Sequence, residues 1–351
     1  MPEPRPLRYV EALREAIDQE MARDPSVFLF GLDVDDHLGI QGSTKGLVEK
    51  YGPDRVFTTP LSEDAMTGVA IGAAMAGMRP IHVHIRMDFM LLCMNQLVNI
   101  AAKARAMWGG QVRVPLVVRS MIGKSWGQGA QHSQGLHSLF MHIPGLKVVA
   151  PSNAHDAKGC LIAAIRDDHP VIFMEHRLLY PTSTEVDPAP FLVPPGQARI
   201  CRPGQDLTIV GISNMVQEAI RAAELLAEVG ITAEVIDPIW LRPLDIDTIL
   251  ASARRTRRLL VVDNGWTMCG ASAEIVAAIA ERAPEAGIHA RRIGFADTTC
   301  PTSPWLEAHF YPNPASIAAA AWTLVRPETA PWQPSEEQAK LAYQTQFKGP
   351  F

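Results

Sequence analysis

Two stretches of the chain repeat one alternation, a short apolar run followed by a segment with apolar residues at helical spacing. No other feature limits the fold so strongly. In the first stretch YVEALREAIDQEMARD reads as helix, SVFLFG as strand, DAMTGVAIGAAMAG as helix, RPIHVHI as strand and DFMLLCMNQLVNIAAKARAMW as a longer helix. VPLVVRS, LKVVAP and PVIFME follow as strands, with AHDAKGCLIAAIRD as a helix among them. Such alternation calls for a mostly parallel sheet with helices on both faces. Pro181, Pro188, Pro190, Pro194 and Pro195 then crowd a stretch with no period. Beyond it DLTIVG, NMVQEAIRAAELLAEVG, ITAEVID, LDIDTILASA, RLLVVD, GASAEIVAAIAERA and GIHARRIG repeat strand and helix on a smaller scale. The expectation is an α/β chain of two domains, residues 1–185 and 201–325, with a linker at 186–200 and a tail at 326–351 rich in Pro, Gln and Glu. A length of 351 residues agrees with two domains.

Composition removes several classes of function. No apolar run approaches the roughly 20 residues of a membrane helix. The start, MPEPRPLRYVEALREAIDQEM, has no signal-like apolar core and carries acids that transit peptides avoid, so the expected location is cytoplasmic. Lys plus Arg number 32 against 37 Asp plus Glu, a net charge of -5, which gives no basic surplus for nucleic acid or an anionic membrane. Arg254, Arg255, Arg257 and Arg258 read as a solvated helix end. Cys93, Cys160, Cys201, Cys269 and Cys300 form no C-x-x-C pair, and they read as reduced, mostly buried thiols.

Parallel sheets place ligands at the carboxyl ends of their strands. Three such points stand out. In TTPLSEDAMTGVAIGAAMAG, Ser62 stands where a helix cap belongs and Glu63 in the first turn. Gly68, Gly72 and Ala76 recur every four residues and admit a close backbone, so this helix reads as buried and the acid at its start as facing an interior or an interface. In HIRMDFMLLCMNQLVN, Asp88 is placed to cap and Phe89 to stand at the mouth of the same edge. The third point, WGQGAQHSQGLHSLFMHIPG, holds His132, His137 and His142 at steps of five. At about 100° per residue, a step of five turns each side chain about 140° from the last, so one helix cannot aim all three at one ion. His132 therefore reads as a loop residue suited to acid-base work, with a helix starting near Ser133 that takes in His137 and His142. No G-x-x-x-x-G-K-S/T motif occurs, nor a G-D-G with a following Asn. A phosphorylated cofactor here would need its phosphates bound by another chain.

The segments TKGLVEKYGPDRVFTTPLSE, GVAIGAAMAGMRPI, NQLVNIAAK, GAQHSQ, HIPGLKVVAPSNAHDAKGCLIAAIRDDHPVIF and IDPIWLRPLD together carry a resemblance over about residues 7–325. The chain resembles the beta subunit of the thiamine-diphosphate-dependent decarboxylating component of 2-oxo acid dehydrogenase complexes of the pyruvate, branched-chain and acetoin type. That family is part of the transketolase-like group. The resemblance implies a pyrimidine-binding domain followed by a transketolase C-terminal-like domain. It implies that Glu63 matches the cofactor-activating glutamate, that Phe89 and Gln96 lie beside the aminopyrimidine, and that His132 matches the histidine that orients substrate or passes protons during acyl transfer to a lipoyl group. In some relatives the carbonyls matching Leu116, Ala164, Ile165, Asp167 and His169 bind a structural potassium ion. The implied partners are an alpha subunit holding magnesium and diphosphate in an α2β2 heterotetramer, and a lipoyl acyltransferase. Leu32 where an acid is common, Asn95 before Gln96, and the altered 119–126 loop depart from the family pattern. They keep two further readings open, a split transketolase-like subunit transferring a two-carbon ketol unit and a non-catalytic scaffold subunit.

Overall fold

The computed structural model describes residues 3–124 and 127–342. They form two compact units, one of residues up to 123 with 132–195, the other of 196 onward with 124–131.

The first unit runs β1 (Arg5–Arg8), α1 (Tyr9–Arg23), β2 (Val27–Gly31), α2 (Leu47–Tyr51), β3 (Val56–Thr58), α3 (Glu63–Met75), β4 (Arg79–His84), α4 (Ala102–Met107), β5 (Val117–Ile122), α5 (His137–Met141), β6 (Lys147–Val149), α6 (Ala154–Arg166), β7 (Val171–His176) and β8 (Ser183–Val186). Six strands of this unit pair in parallel in the order β6, β7, β5, β4, β2, β3. β1 and β8 pair antiparallel, separately from them. β2, β5 and β7 are buried from end to end, which is why their sequences read as unbroken apolar runs. Where charge enters this interior it is matched. Arg119 of β5 grips Glu175 of β7 at 2.6 and 2.9 Å, and the Tyr180 hydroxyl donates to the same carboxylate at 2.7 Å. Between α1 and α6, the buried Glu20 carboxylate accepts from Arg166 at 2.7 and 2.9 Å. Breaking one partner of such a pair costs several kcal/mol, about 3–5 by analogy with other buried pairs.

The long helix expected after β4 is broken into three. A 3₁₀ turn spans Met87–Cys93, a π turn Asn95–Ala101, and only then does α4 begin. The run MLLCM is apolar on every side and gives periodicity no face to register, so the break was hidden in the sequence. The expected helix at Ser133 starts instead at His137, which leaves His132 in the loop five residues before it. His137 is buried there and His142, at the helix exit, is exposed.

The second unit runs β9 (Arg199–Arg202), β10 (Leu207–Gly211), α7 (Met215–Ala227), β11 (Ala233–Asp237), β12 (Trp240–Arg242), α8 (Ile246–Thr256), β13 (Arg258–Trp266), α9 (Ala271–Arg282), β14 (His289–Phe295), α10 (Pro304–Glu307), α11 (Pro314–Val325) and α12 (Glu336–Ala342). Its five-stranded sheet has the order β14, β13, β10, β11, β9, parallel except for β9. β9 begins inside the stretch read as linker, too short to show a period. Leu207, Ile209, Val235 and Leu260 of the strands bury against Val216 and Ala219 of α7 and Ile317 of α11. The arginine run at the end of α8 is partly engaged: Arg255 pairs with Glu234 at 2.7 Å and Arg258 donates to the Leu324 carbonyl at 3.1 Å. The tail packs at its start, where Trp332 lies against Trp322 at 5.3 Å, and residues 343–351 lie outside the described residues. No described helix is long and apolar enough to cross a membrane.

Candidate active site

The loops leaving β3, β4 and β5 carry the residues singled out at the carboxyl edge of the first sheet. After β3 the chain turns through Pro60 and Ser62 into α3, and Glu63 is its first residue. Ser62 occupies the cap position but makes no capping bond with its side chain. Glu63 is half-buried, and its side chain has no hydrogen bond or ion pair with any described residue. Gln96, in the π turn, lies over α3: its amide is 3.6 Å from where a side chain on Gly68 would begin, and it donates to Asp64 at 3.5 Å. Cys93 lies buried beside this corner. Burial pushes its thiol up to about 11, with the carboxylates of Asp64 and Glu63 adding to the effect, so it is a packing group and not a nucleophile.

The second cluster joins the turn after β4 to the loop after β5. Phe89 and His132 meet edge to face, centroids 5.2 Å apart. The His132 ring makes no hydrogen bond with any described residue, so its nitrogens are open to a ligand. Asp88 does not cap a helix as expected. One of its oxygens accepts both the Gln134 backbone N–H at 3.2 Å and the Gln134 amide at 2.9 Å. The other oxygen is enclosed without a partner. Burial pushes the Asp88 carboxyl above its ordinary range, against the Gln134 hydrogen bonds. Leu136 N–H donates to the Met87 sulfur at 3.3 Å, a second tie between the two loops. Composition and spacing held no sign of this Asp88–Gln134 bond, because its partners are 46 residues apart.

The geometry thus brings Phe89 to His132 and Gln96 to the first turns of the helix that Glu63 begins. His137 and His142 lie along α5 and its exit. Among the described residues no group of three or more His, Cys, Asp or Glu is placed to hold a metal. The residues named for potassium lie at the opposite edge of the sheet, before β5 and β7. There the carbonyls of Ile165 and Asp167 accept from the Arg79 guanidinium at 2.9 and 3.0 Å, that of Leu116 accepts from Val171 N–H at 2.8 Å, and that of Ala164 from Asp167 N–H at 3.2 Å. His169 turns its ring between Arg105 and Asp167, at 3.0 and 2.9 Å. The chain's own guanidinium supplies a cation to two of these carbonyls. Of the departures, Leu32 is half-buried after β2, Asn95 accepts from Asn99 at 2.9 Å within the π turn, and residues 125–126 of the altered loop lie outside the described residues.

Two family models match in tandem, the transketolase pyrimidine binding domain over residues 5–183 and the transketolase C-terminal domain over 196–317. The beta subunit of acetoin:2,6-dichlorophenolindophenol oxidoreductase from Cupriavidus necator is 48% identical over 323 residues, 88% of this chain and 95% of that protein. The chain belongs to the beta-subunit family of 2-oxo acid dehydrogenase decarboxylating components. The mitochondrial pyruvate dehydrogenase E1 subunit beta-1 of Oryza sativa subsp. japonica is 44% identical over 316 residues, 89% of this chain and 84% of that protein. The Rickettsia bellii pyruvate dehydrogenase E1 subunit beta is 45% identical over 277 residues, 78% and 84% of the two chains. A solved split-gene transketolase, an inactive beta4 tetramer, superposes with a TM-score of 0.75 over 90% of this chain and 97% of its own. At 20% identity that match speaks for the fold alone.

Proposed function

We propose that this chain is the pyrimidine-side half of a thiamine-diphosphate-dependent enzyme that oxidatively decarboxylates a small, pyruvate-like 2-oxo acid and passes the acyl group to a lipoyl group. The observation that carries the reading is a pair of open groups on one sheet edge, the Glu63 carboxylate and the His132 ring beside Phe89, in a chain with no phosphate-binding motif. These residues fit the aminopyrimidine end of the cofactor. A carboxyl at a helix start with no partner of its own is free to share a proton with a ring nitrogen, and Phe89 offers an apolar wall. When bound, the thiazolium carbon supplies the nucleophile and the electron sink for decarboxylation. Glu63 holds or releases the proton that sets the tautomer of the aminopyrimidine. His132, held by its loop, orients the substrate and moves a proton during acyl transfer. Diphosphate and magnesium fall to an alpha subunit in an α2β2 assembly, with a lipoyl acyltransferase as acceptor and the cytoplasm as the setting.

Glu63→Gln in the assembled complex tests this. Turnover of the 2-oxo acid in a dye-coupled assay should fall by about 10²- to 10⁴-fold, the usual range for lost proton transfer, while assembly by size-exclusion chromatography is unchanged. Full turnover by the variant, strong cofactor binding by the chain without its partner, or ketol transfer in place of decarboxylation would each overturn the reading.

A further inference from the structure

The turn after β4 carries a cation that forms no ion pair among the described residues. Arg86 is half-buried. Its Nη1 donates to the carbonyl of its own neighbour Ile85 at 2.9 Å, its Nε is enclosed with no acceptor, and it forms no ion pair with any described residue. Four other arginines of this unit are matched by anions or several carbonyls: Arg119 by Glu175, Arg166 by Glu20, Arg79 by Asp168 and two carbonyls, Arg55 by the carbonyls of Met21, Asp24 and Val27; the fully buried Arg177 donates from Nη2 to the Gly123 carbonyl at 3.3 Å while its Nε and Nη1 are enclosed. An enclosed donor without an acceptor is a standing cost, and burial acts against the charge of Arg86 as well. A protein that keeps such a group at the rim of a site is arranged for an anion that arrives from outside.

Arg86 is three residues before Phe89, whose ring meets His132. Asp88 lies between them, and its negative charge would oppose an incoming anion. That carboxylate, however, is engaged by both N–H groups of Gln134 and pushed by burial toward its neutral form. A 2-oxo acid brings two candidate anions. Its own carboxylate loses its charge as carbon dioxide leaves, so a guanidinium bound to it would hold the ground state more tightly than the transition state and slow the step. A charged group at the far end of the substrate keeps its charge throughout, and binding it carries no such penalty.

Resting on the decarboxylating function above, we propose that Arg86 selects pyruvate-like 2-oxo acids whose far end carries an anion, a carboxylate, sulfonate or phosphonate, over pyruvate itself. In the complex assembled with its alpha subunit, dye-coupled oxidation of pyruvate, 2-oxoglutarate, 3-sulfopyruvate and phosphonopyruvate distinguishes the three anions. At least one of the charged acids should exceed pyruvate in kcat/KM by about tenfold or more. Arg86→Met should remove that advantage mainly through KM and leave pyruvate turnover within about threefold, and Arg86→Lys should restore part of it. Calorimetry with acetyl phosphonate and succinyl phosphonate methyl esters, which have no carboxylate to lose, reads the same selectivity without turnover. Arg86→Met should weaken only the succinyl compound. Equal losses for every acid, pyruvate as the best substrate of the unaltered complex, or failure of Arg86→Met to assemble, which would mark a partner's carboxylate as the true counter-ion, would overturn the proposal. Absence of any 2-oxo acid turnover with the calorimetric selectivity intact would sink the decarboxylation reading and leave the anion site standing. Calorimetry blind to the succinyl group would sink the anion site whatever the turnover.

Discussion

Asp88 sets the position of His132 through Gln134, two residues further along the loop. A single carboxylate oxygen takes two N–H groups of that residue, so removing it leaves both donors without their acceptor. The loss is about 1–3 kcal/mol, enough to let the loop move from the Phe89 edge. Asp88→Ala should therefore lower acyl transfer to a lipoyl domain by roughly 10- to 100-fold, since small misplacements of a catalytic group cost that much. Dye-coupled decarboxylation should change far less, and Asp88→Asn, which keeps an acceptor oxygen, should recover most of the transfer. Equal loss in both assays would make Asp88 a merely structural residue. The places of Glu63 and His132 were legible in the sequence because each stands beside a local signal, a helix start in one case and a Gly-rich loop in the other. Asp88 was read as a cap and Arg86 was passed over. Their roles depend on what lies across the sheet edge, which no short window of sequence contains.

At the scale of one element, β4 carries two histidines on one face, His82 and His84, both buried. His82 stacks on Phe30 at 4.5 Å with its Nδ1 3.4 Å from the Phe30 carbonyl, and His84 lies 3.4 Å from the Thr67 hydroxyl of α3. Burial pushes His82 down to about 4 and His84 well below 6.5. Both are neutral in the folded chain, whereas in the unfolded chain both bind protons once the pH drops below about 6.5. Folded-state values that are depressed give stability that is complete above the unfolded value and lost as pH falls from about 6.5 toward 4. His82 alone accounts for roughly 3 kcal/mol across that window. The depressed carboxylates of Asp18, Asp24 and Asp167 act at more acid pH, and the raised Asp88 and Glu218 act in the opposite sense. Denaturant midpoints at pH 7 and pH 5 should differ clearly for the unaltered chain and much less for His82→Phe, which keeps the stack on Phe30. An undiminished difference in the variant would remove His82 from the acid response. The strand RPIHVHI was plain in the sequence; that its histidines face inward was not, because a strand covered on both faces shows no polar side to compare.

For the molecule as a whole, the first unit turns an apolar surface outward. Leu61 is 78% exposed, Leu92 59% and Val69 54%, and Gly72 and Ala76 of the small-residue row are exposed beside them. The helix was expected to be buried; Gln96 lies over Gly68, but among the described residues nothing covers Gly72. A side chain built on Gly72 would meet no atom within 4 Å. Apolar surface of this kind on a folded chain marks a contact with another protein, and a row of small residues admits a helix at close range. Under the proposed assembly that protein is the alpha subunit. Gly72→Leu separates folding from assembly, because the added side chain has room within the chain and leucine favours a helix over glycine by close to 1 kcal/mol. The isolated variant should melt at or slightly above the temperature of the unaltered chain, measured by circular dichroism. Mixed with the alpha subunit, it should fail to form the complex on size-exclusion chromatography with light scattering, and activity should be lost in proportion. Normal assembly of a stable Gly72→Leu chain would mean that the face of α3 is left open in the complex and that the partner approaches from another side.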